Sequence, residues 1–117
     1  MVYLIDDDES VRRAFALFLN SAKIDHQSFG SADDFLSGFK PGEKDLLVLD
    51  LNLPGMKGIE LLAEIKEMKV PLTVIVVTAN DNPKSREYSR QFGVKAFLRK
   101  PVDAEALLDI ISYNLSA

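Results

Sequence analysis

Leu46-Leu47-Val48-Leu49-Asp50-Leu51-Asn52-Leu53-Pro54-Gly55-Met56-Lys57-Gly58 decides the reading of this chain. An unbroken apolar run ends in a carboxylate and then enters a stretch with proline and two glycines. Continuous apolar runs suit central strands covered on both faces. The carboxyl end of such a strand is where open parallel sheets place their chemistry. Three other runs end in the same manner: Val2–Ile5 in Asp6-Asp7-Asp8, Leu72–Val77 in Thr78, and Val94–Leu98 in Arg99-Lys100-Pro101. Four strand ends thus bring carboxylates, a hydroxyl and an ammonium to one edge.

Working outward, five strands are predicted at Val2–Ile5, Ile24–Phe29, Leu46–Asp50, Leu72–Thr78 and Val94–Leu98. Asp25, His26 and Gln27 mark the second as an edge strand, and that position accounts for His26, the only histidine. Between the strands lie segments of helical period. Val11, Ala14, Phe15, Phe18 and Ala22 form one face; Ala32, Phe35, Leu36 and Phe39 a second, with Ser31 and Asp34 spaced as a capping box. Leu61, Leu62, Ile65 and Met68 form a third face. Ala104, Leu107, Leu108, Ile111 and Leu115 form the last, with Asp103 as N-cap. The fourth helix starts at Asn82-Pro83, stops at Gly93 and carries little apolar surface beyond Tyr88 and Phe92, which makes it a candidate for local mobility. Tyr88 and Phe92 fit either plain packing or a partner-binding face with Lys95, Phe97 and Pro101. Gly55 and Gly58 read as backbone devices rather than ligands.

Strands alternating with helices imply βαβ units and a parallel sheet. The expected fold class is α/β, a flavodoxin-like doubly wound (βα)5 domain with strand order 2-1-3-4-5. Its switch point lies between the first and third strands, the two that end in Asp6-Asp7 and Asp50.

At 117 residues the chain suits a single domain with one core, so any output domain would lie outside it. A composition 47% hydrophobic and 27% charged is that of a globular protein. The net charge of −4 argues against direct nucleic-acid binding by this segment. There is no cysteine, and no apolar run approaches the roughly 18 residues of a membrane span. No signal peptide is visible, because the N-terminal apolar run meets three aspartates; a cytoplasmic location is expected.

Asp6, Asp7 and Asp50 crowd three negative charges together, which raises carboxylate pKa values or recruits a cation. With oxygen ligands only, a hard divalent ion fits: Mg²⁺, with Mn²⁺ as substitute. Such an ion and Lys100 bring the site near neutrality, and Asp50 becomes a nucleophile for a phosphoryl group. Lys100 and the Thr78 hydroxyl are the right types to hold phosphoryl oxygens.

Ile5-Asp6-Asp7-Asp8, Asp50 followed by Leu53-Pro54 and Gly58, Thr78-Ala79, and Lys100-Pro101 occur in this order at strand ends. In these features the whole chain resembles a response-regulator receiver domain of two-component signalling and chemotaxis. The resemblance implies that Asp50 accepts phosphate from a sensor histidine kinase or phosphotransfer protein. It implies Mg²⁺ held by Asp7, Asp50 and the backbone carbonyl of Asn52, with Asp6 assisting through water. It further implies a cis Lys100–Pro101 bond, Lys100 on the phosphoryl group, Thr78 swinging toward it and Phe97 turning inward. Phe97 shares its strand parity with Lys95 and Arg99, which suits either ordinary edge packing or a side chain with two homes. An output domain or downstream protein would meet the fourth helix, fifth strand and fifth helix, and a homodimer formed on phosphorylation is compatible with this. Ser31-Ala32-Asp33-Asp34-Phe35-Leu36 resembles receivers of DNA-binding transcription regulators. The sequence departs from the family at Leu53, where methionine is common, and at Ser10, often proline. Asn52 and Asn80 occupy variable positions that tune the phosphorylated lifetime.

Three rivals share parts of this pattern. Haloacid-dehalogenase-like phosphatases also use an Asp nucleophile, but want a second acid where Asn52 stands. A flavodoxin would meet three aspartates where its cofactor's phosphate should lie. A receiver fold used only for docking, without phosphorylation, would be expected to lose these residues.

Overall fold

The computed structural model describes residues 1–53, 55, 57–79 and 83–116, except for the side chain of Ser116. Pro54, Asn80 and Asn82, which carried expectations above, lie outside the described residues. The elements alternate as β1 (Val2–Ile5), α1 (Glu9–Ser21), β2 (His26–Phe29), α2 (Ala32–Gly38), β3 (Asp45–Asp50), α3 (Gly58–Met68), β4 (Leu72–Thr78), α4 (Pro83–Gln91), β5 (Ala96–Arg99) and α5 (Ala104–Ser116). All strand pairs are parallel, and the sheet order is β2-β1-β3-β4-β5. This is the flavodoxin-like order read from the sequence, with β2 at one edge.

Strand parity divides the core into two layers. Tyr3, Ile5, Leu47, Leu49, Val74 and Val76 face α2 and α3, meeting Phe35, Leu61, Leu62 and Ile65. Tyr3, Phe29, Phe35 and Phe39 form an aromatic cluster in that layer, with ring centroids 4.8 to 6.3 Å apart. On the other face Val2, Leu4, Leu46, Val48, Ile75 and Val77 meet Leu19 of α1 and Leu107 and Ile111 of α5. Both layers are apolar because a parallel sheet with helices on each side leaves no strand face for water.

Two expected strands begin too early, for one shared reason. α1 ends with Lys23 in the left-handed region at φ 60°, and the Ile24 N–H bonds Leu19 O. α4 ends with Gly93 at φ 76°, and the Val94 N–H reaches Ser89 O. Each is a helix C-cap whose next residue is apolar and packs back onto the core. Ile24 and Val94 therefore close helices, and β2 and β5 start at His26 and Ala96. The parity reading shifts accordingly. Ala96 and Leu98 face the α1/α5 layer, whereas Val94 packs with Phe97 on the opposite one.

The α1 face looks inward as read, with Leu19, outside the expected set, as its deepest member. Leu19 is its one fully buried residue, Phe15 and Phe18 are half-buried, and Val11 and Ala14 are exposed. Val11, Ala14, Phe15 and Phe18 line an apolar cleft of about 750 Å³ facing Ala104 and Leu107 of α5. α4 behaves as its composition predicts. Its buried residue is Ser89, whose hydroxyl bonds Ser85 O at 2.8 Å, while Tyr88 is half exposed against Phe92.

Candidate phosphoacceptor and metal site

Register places the reactive side chains at one edge. Ile5 pairs with Leu49, so Asp6 and Asp50 leave adjacent strands side by side. Asp50 pairs with Val77, and Thr78 with Arg99, which brings the ends of β4 and β5 next to them. Asp6, Asp50 and Thr78 are buried, and Asp7 is exposed at the rim.

Lys100 sits between the two buried acids. Its Nζ donates to Asp6 Oδ2 at 2.9 Å and to Asp50 Oδ2 at 3.2 Å. The other carboxylate oxygens are held by backbone amides: Asp8 N–H to Asp6 Oδ1 at 3.0 Å and Asn52 N–H to Asp50 Oδ1 at 2.9 Å. Partial burial pulls the Lys100 ammonium's pKa down, but the bond to Asp6 and the charges of Asp50 and Asp6 outweigh it, so the net shift is upward. Lys100 N–H donates to Thr78 O at 2.8 Å, and the Lys100–Pro101 peptide is cis.

One carboxylate oxygen from each of Asp6, Asp7 and Asp50 lies within 4.8 Å of the others. Oxygens on an octahedral Mg²⁺ stand about 3 Å apart when adjacent and about 4.2 Å apart when opposite, so these three ligate once they draw inward around the ion. The donor set is all oxygen and one cation already shares the cluster, so a divalent ion fits in charge as well as in size.

The third aspartate of the run does something else. Asp8 is the N-cap of α1, accepting the Ser10 N–H at 2.8 Å. Two nearby contacts were not foreseen from sequence. Arg12, one turn into α1, donates to Asp6 O at 2.8 Å and steadies the exit of β1. The Asn52 carboxamide donates to Thr78 Oγ1 at 2.9 Å. Arg12 could have been placed from its position four residues beyond the cap; the Asn52 contact has no local signal, because its partner is 26 residues away. Phe97 lies apart, half-buried against the α2/α3 layer with the Arg86 guanidinium 5.1 Å over its ring. His26 is accounted for by its edge position, where Nε2 meets Asn20 Oδ1 at 2.9 Å.

A family model described as the response regulator receiver domain matches residues 2–112. The chain belongs to that family. It is therefore a receiver domain of the two-component kind, with the strand order its architecture requires. Transcriptional regulatory protein FixJ of Azorhizobium caulinodans is 32% identical over 97% of this chain and 54% of its own length. The DNA-binding transcriptional regulator NtrC of Klebsiella pneumoniae is 28% identical over 99% of this chain and 25% of its own length. The solved structure of response regulator StyR superposes with a TM-score of 0.90 at 34% identity, covering 98% of this receiver and 58% of that chain. The receiver thus spans about half or less of the curated relatives it matches. No helix among the described residues is long and apolar enough to cross a membrane.

Proposed function

We propose that this receiver is switched by phosphorylation of Asp50, with a phosphohistidine of a sensor kinase or phosphotransfer protein as donor. The observation that carries this is Lys100 held between Asp6 and Asp50, with Asp7 alongside. One Asp50 oxygen forms a bond to phosphorus as the N–P bond of the donor breaks, and the departing imidazole keeps that electron pair. Lys100 turns from carboxylate to phosphoryl oxygen without leaving the cluster. Asp6, Asp7, Asp50 and the Asn52 carbonyl would hold Mg²⁺, which supplies charge neutralisation for the transferring group. Positioning and neutralisation are most of what such a transfer needs.

The Thr78 hydroxyl then turns to the phosphoryl group, and the change reaches Phe97 and the surface of α4, β5 and α5. That surface is the place for an output domain, a downstream protein or a second copy of the receiver. Weak anchoring supports α4 as the moving part, since Ser89 is its only buried residue among those described.

The test is incubation with Mg²⁺ and acetyl phosphate, followed by intact mass measurement. One added phosphoryl group, absent in Asp50→Asn, is expected. Sustained release of inorganic phosphate without such an adduct would select the phosphatase reading, and no reaction at all the docking-only one.

A further inference from the structure

Asn52 touches both ends of the proposed relay. Its backbone N–H holds Asp50 Oδ1 and its side chain holds Thr78 Oγ1, each at 2.9 Å. The Leu51 N–H donates to Val77 O at 3.2 Å, so the chain leaving β3 is tied to β4 just before Asn52 reaches over to Thr78. Thr78 is fully buried whereas Asn52 is exposed. An exposed carboxamide that water could satisfy instead donates to the oxygen of a buried hydroxyl.

A threonine has few χ1 wells, and moving between them exchanges the hydroxyl with the methyl group. The bond to Asn52 is therefore one of the contacts that choose among them. We propose that the Asn52 side chain is a latch that holds the Thr78 hydroxyl in its resting well, so that phosphorylation of Asp50 must take the hydroxyl from Asn52. Asn52 is on this view a positioning residue acting through Thr78, and it sets how far the unphosphorylated receiver already samples the switched state. This rests on Asp50 as phosphoacceptor and Thr78 as the responding hydroxyl. One hydrogen bond of this type shifts a two-state population by roughly 2- to 10-fold.

The sequence contains two threonines, Thr73 and Thr78, so selective labelling of threonine methyl groups gives two NMR signals with Thr73 as internal reference. In the wild type, acetyl phosphate with Mg²⁺ is expected to move the Thr78 signal. In metal-free, unphosphorylated Asn52→Ala the signal should already lie part-way along that path. Asn52→Asp, whose carboxylate can accept the Thr78 O–H, should return it to the resting position. A Thr78 signal in Asn52→Ala that coincides with the resting wild type overturns the latch while leaving Asp50 and Thr78 in their roles. A wild-type signal indifferent to phosphorylation overturns both together. Persistence of the Asn52–Thr78 bond in the phosphorylated wild type, seen as an unchanged Thr78 χ1 coupling despite a shifted signal, overturns the latch as well.

Discussion

Replacing Lys100 with methionine tests the charge balance at its centre. The change keeps length and apolar stem but removes the ammonium lying 2.9 Å from Asp6 and 3.2 Å from Asp50. Breaking a buried ion pair from one side costs about 3–5 kcal/mol, because the remaining charge stays buried without its partner. Two features lower that figure here. Both carboxylates keep a backbone N–H donor, and the Lys100 side chain is 28% exposed, so water can follow it in. A loss of about 2–3 kcal/mol is therefore expected in EDTA. In saturating Mg²⁺ the deficit should shrink to below about 1 kcal/mol, since a divalent ion bound only by the folded state both neutralises the carboxylates and stabilises by mass action. Urea unfolding of wild type and Lys100→Met, each with EDTA and with Mg²⁺, supplies the comparison. A deficit of the same size in both conditions would refute the reasoning, because lysine and metal would then not be acting on the same acids.

A Cβ at Gly58 would stand 2.7 Å from Leu51 Cα and 3.2 Å from Asp50 O. Gly58→Ala should accordingly cost about 1–3 kcal/mol in urea unfolding and weaken Mg²⁺ binding, as α3 is pushed off the end of β3. Phe35→Ala removes a fully buried ring from the aromatic cluster and should cost about 3–5 kcal/mol, with Mg²⁺ affinity largely retained in the protein that stays folded. Burial, and then the charge of Asp45, raise the Tyr3 phenol above its ordinary 10.0. The folded state thus keeps this proton to higher pH than the unfolded chain, so its contribution is complete below pH 10.0 and is lost as pH climbs through the raised value. Unfolding curves from pH 9 to 11 should show a shallower decline for Tyr3→Phe than for wild type, with the pH range set about the ordinary tyrosine value.

Where the sequence spoke clearly, it did so through periodicity and through the chemistry at strand ends. Leu46–Leu49 reads as a central strand and is one, and the placement of the Asp6 and Asp50 carboxylates follows from its register with β1. Ser31 and Asp103 announce their helices as caps, and each accepts a backbone N–H in the structure. The misread strand starts at Ile24 and Val94 share a cause: an apolar residue closing a helix cap has the same local pattern as one opening a strand. The stripe on α1 marked its inward side but not its depth, since the fully buried residue is Leu19 while Val11, Ala14, Phe15 and Phe18 line a cleft beside α5. The Asn52–Thr78 bond was invisible for a deeper reason, since a side-chain contact across 26 residues is created by the fold and not by any local preference.

The Gly58 N–H donates to Leu51 O at 3.3 Å, which closes the connection between β3 and α3 at its base. Beyond that neck lies Gly55, exposed at φ 73°, where an added Cβ would meet nothing within 4 Å. A side chain at Gly55 would strain its own backbone but meet no neighbour, so its cost should stay local while the neck holds the carboxylate below in place. Asn52, just inside the neck, stays tied to Asp50 and Thr78, so it is held in place together with the two residues that close the loop.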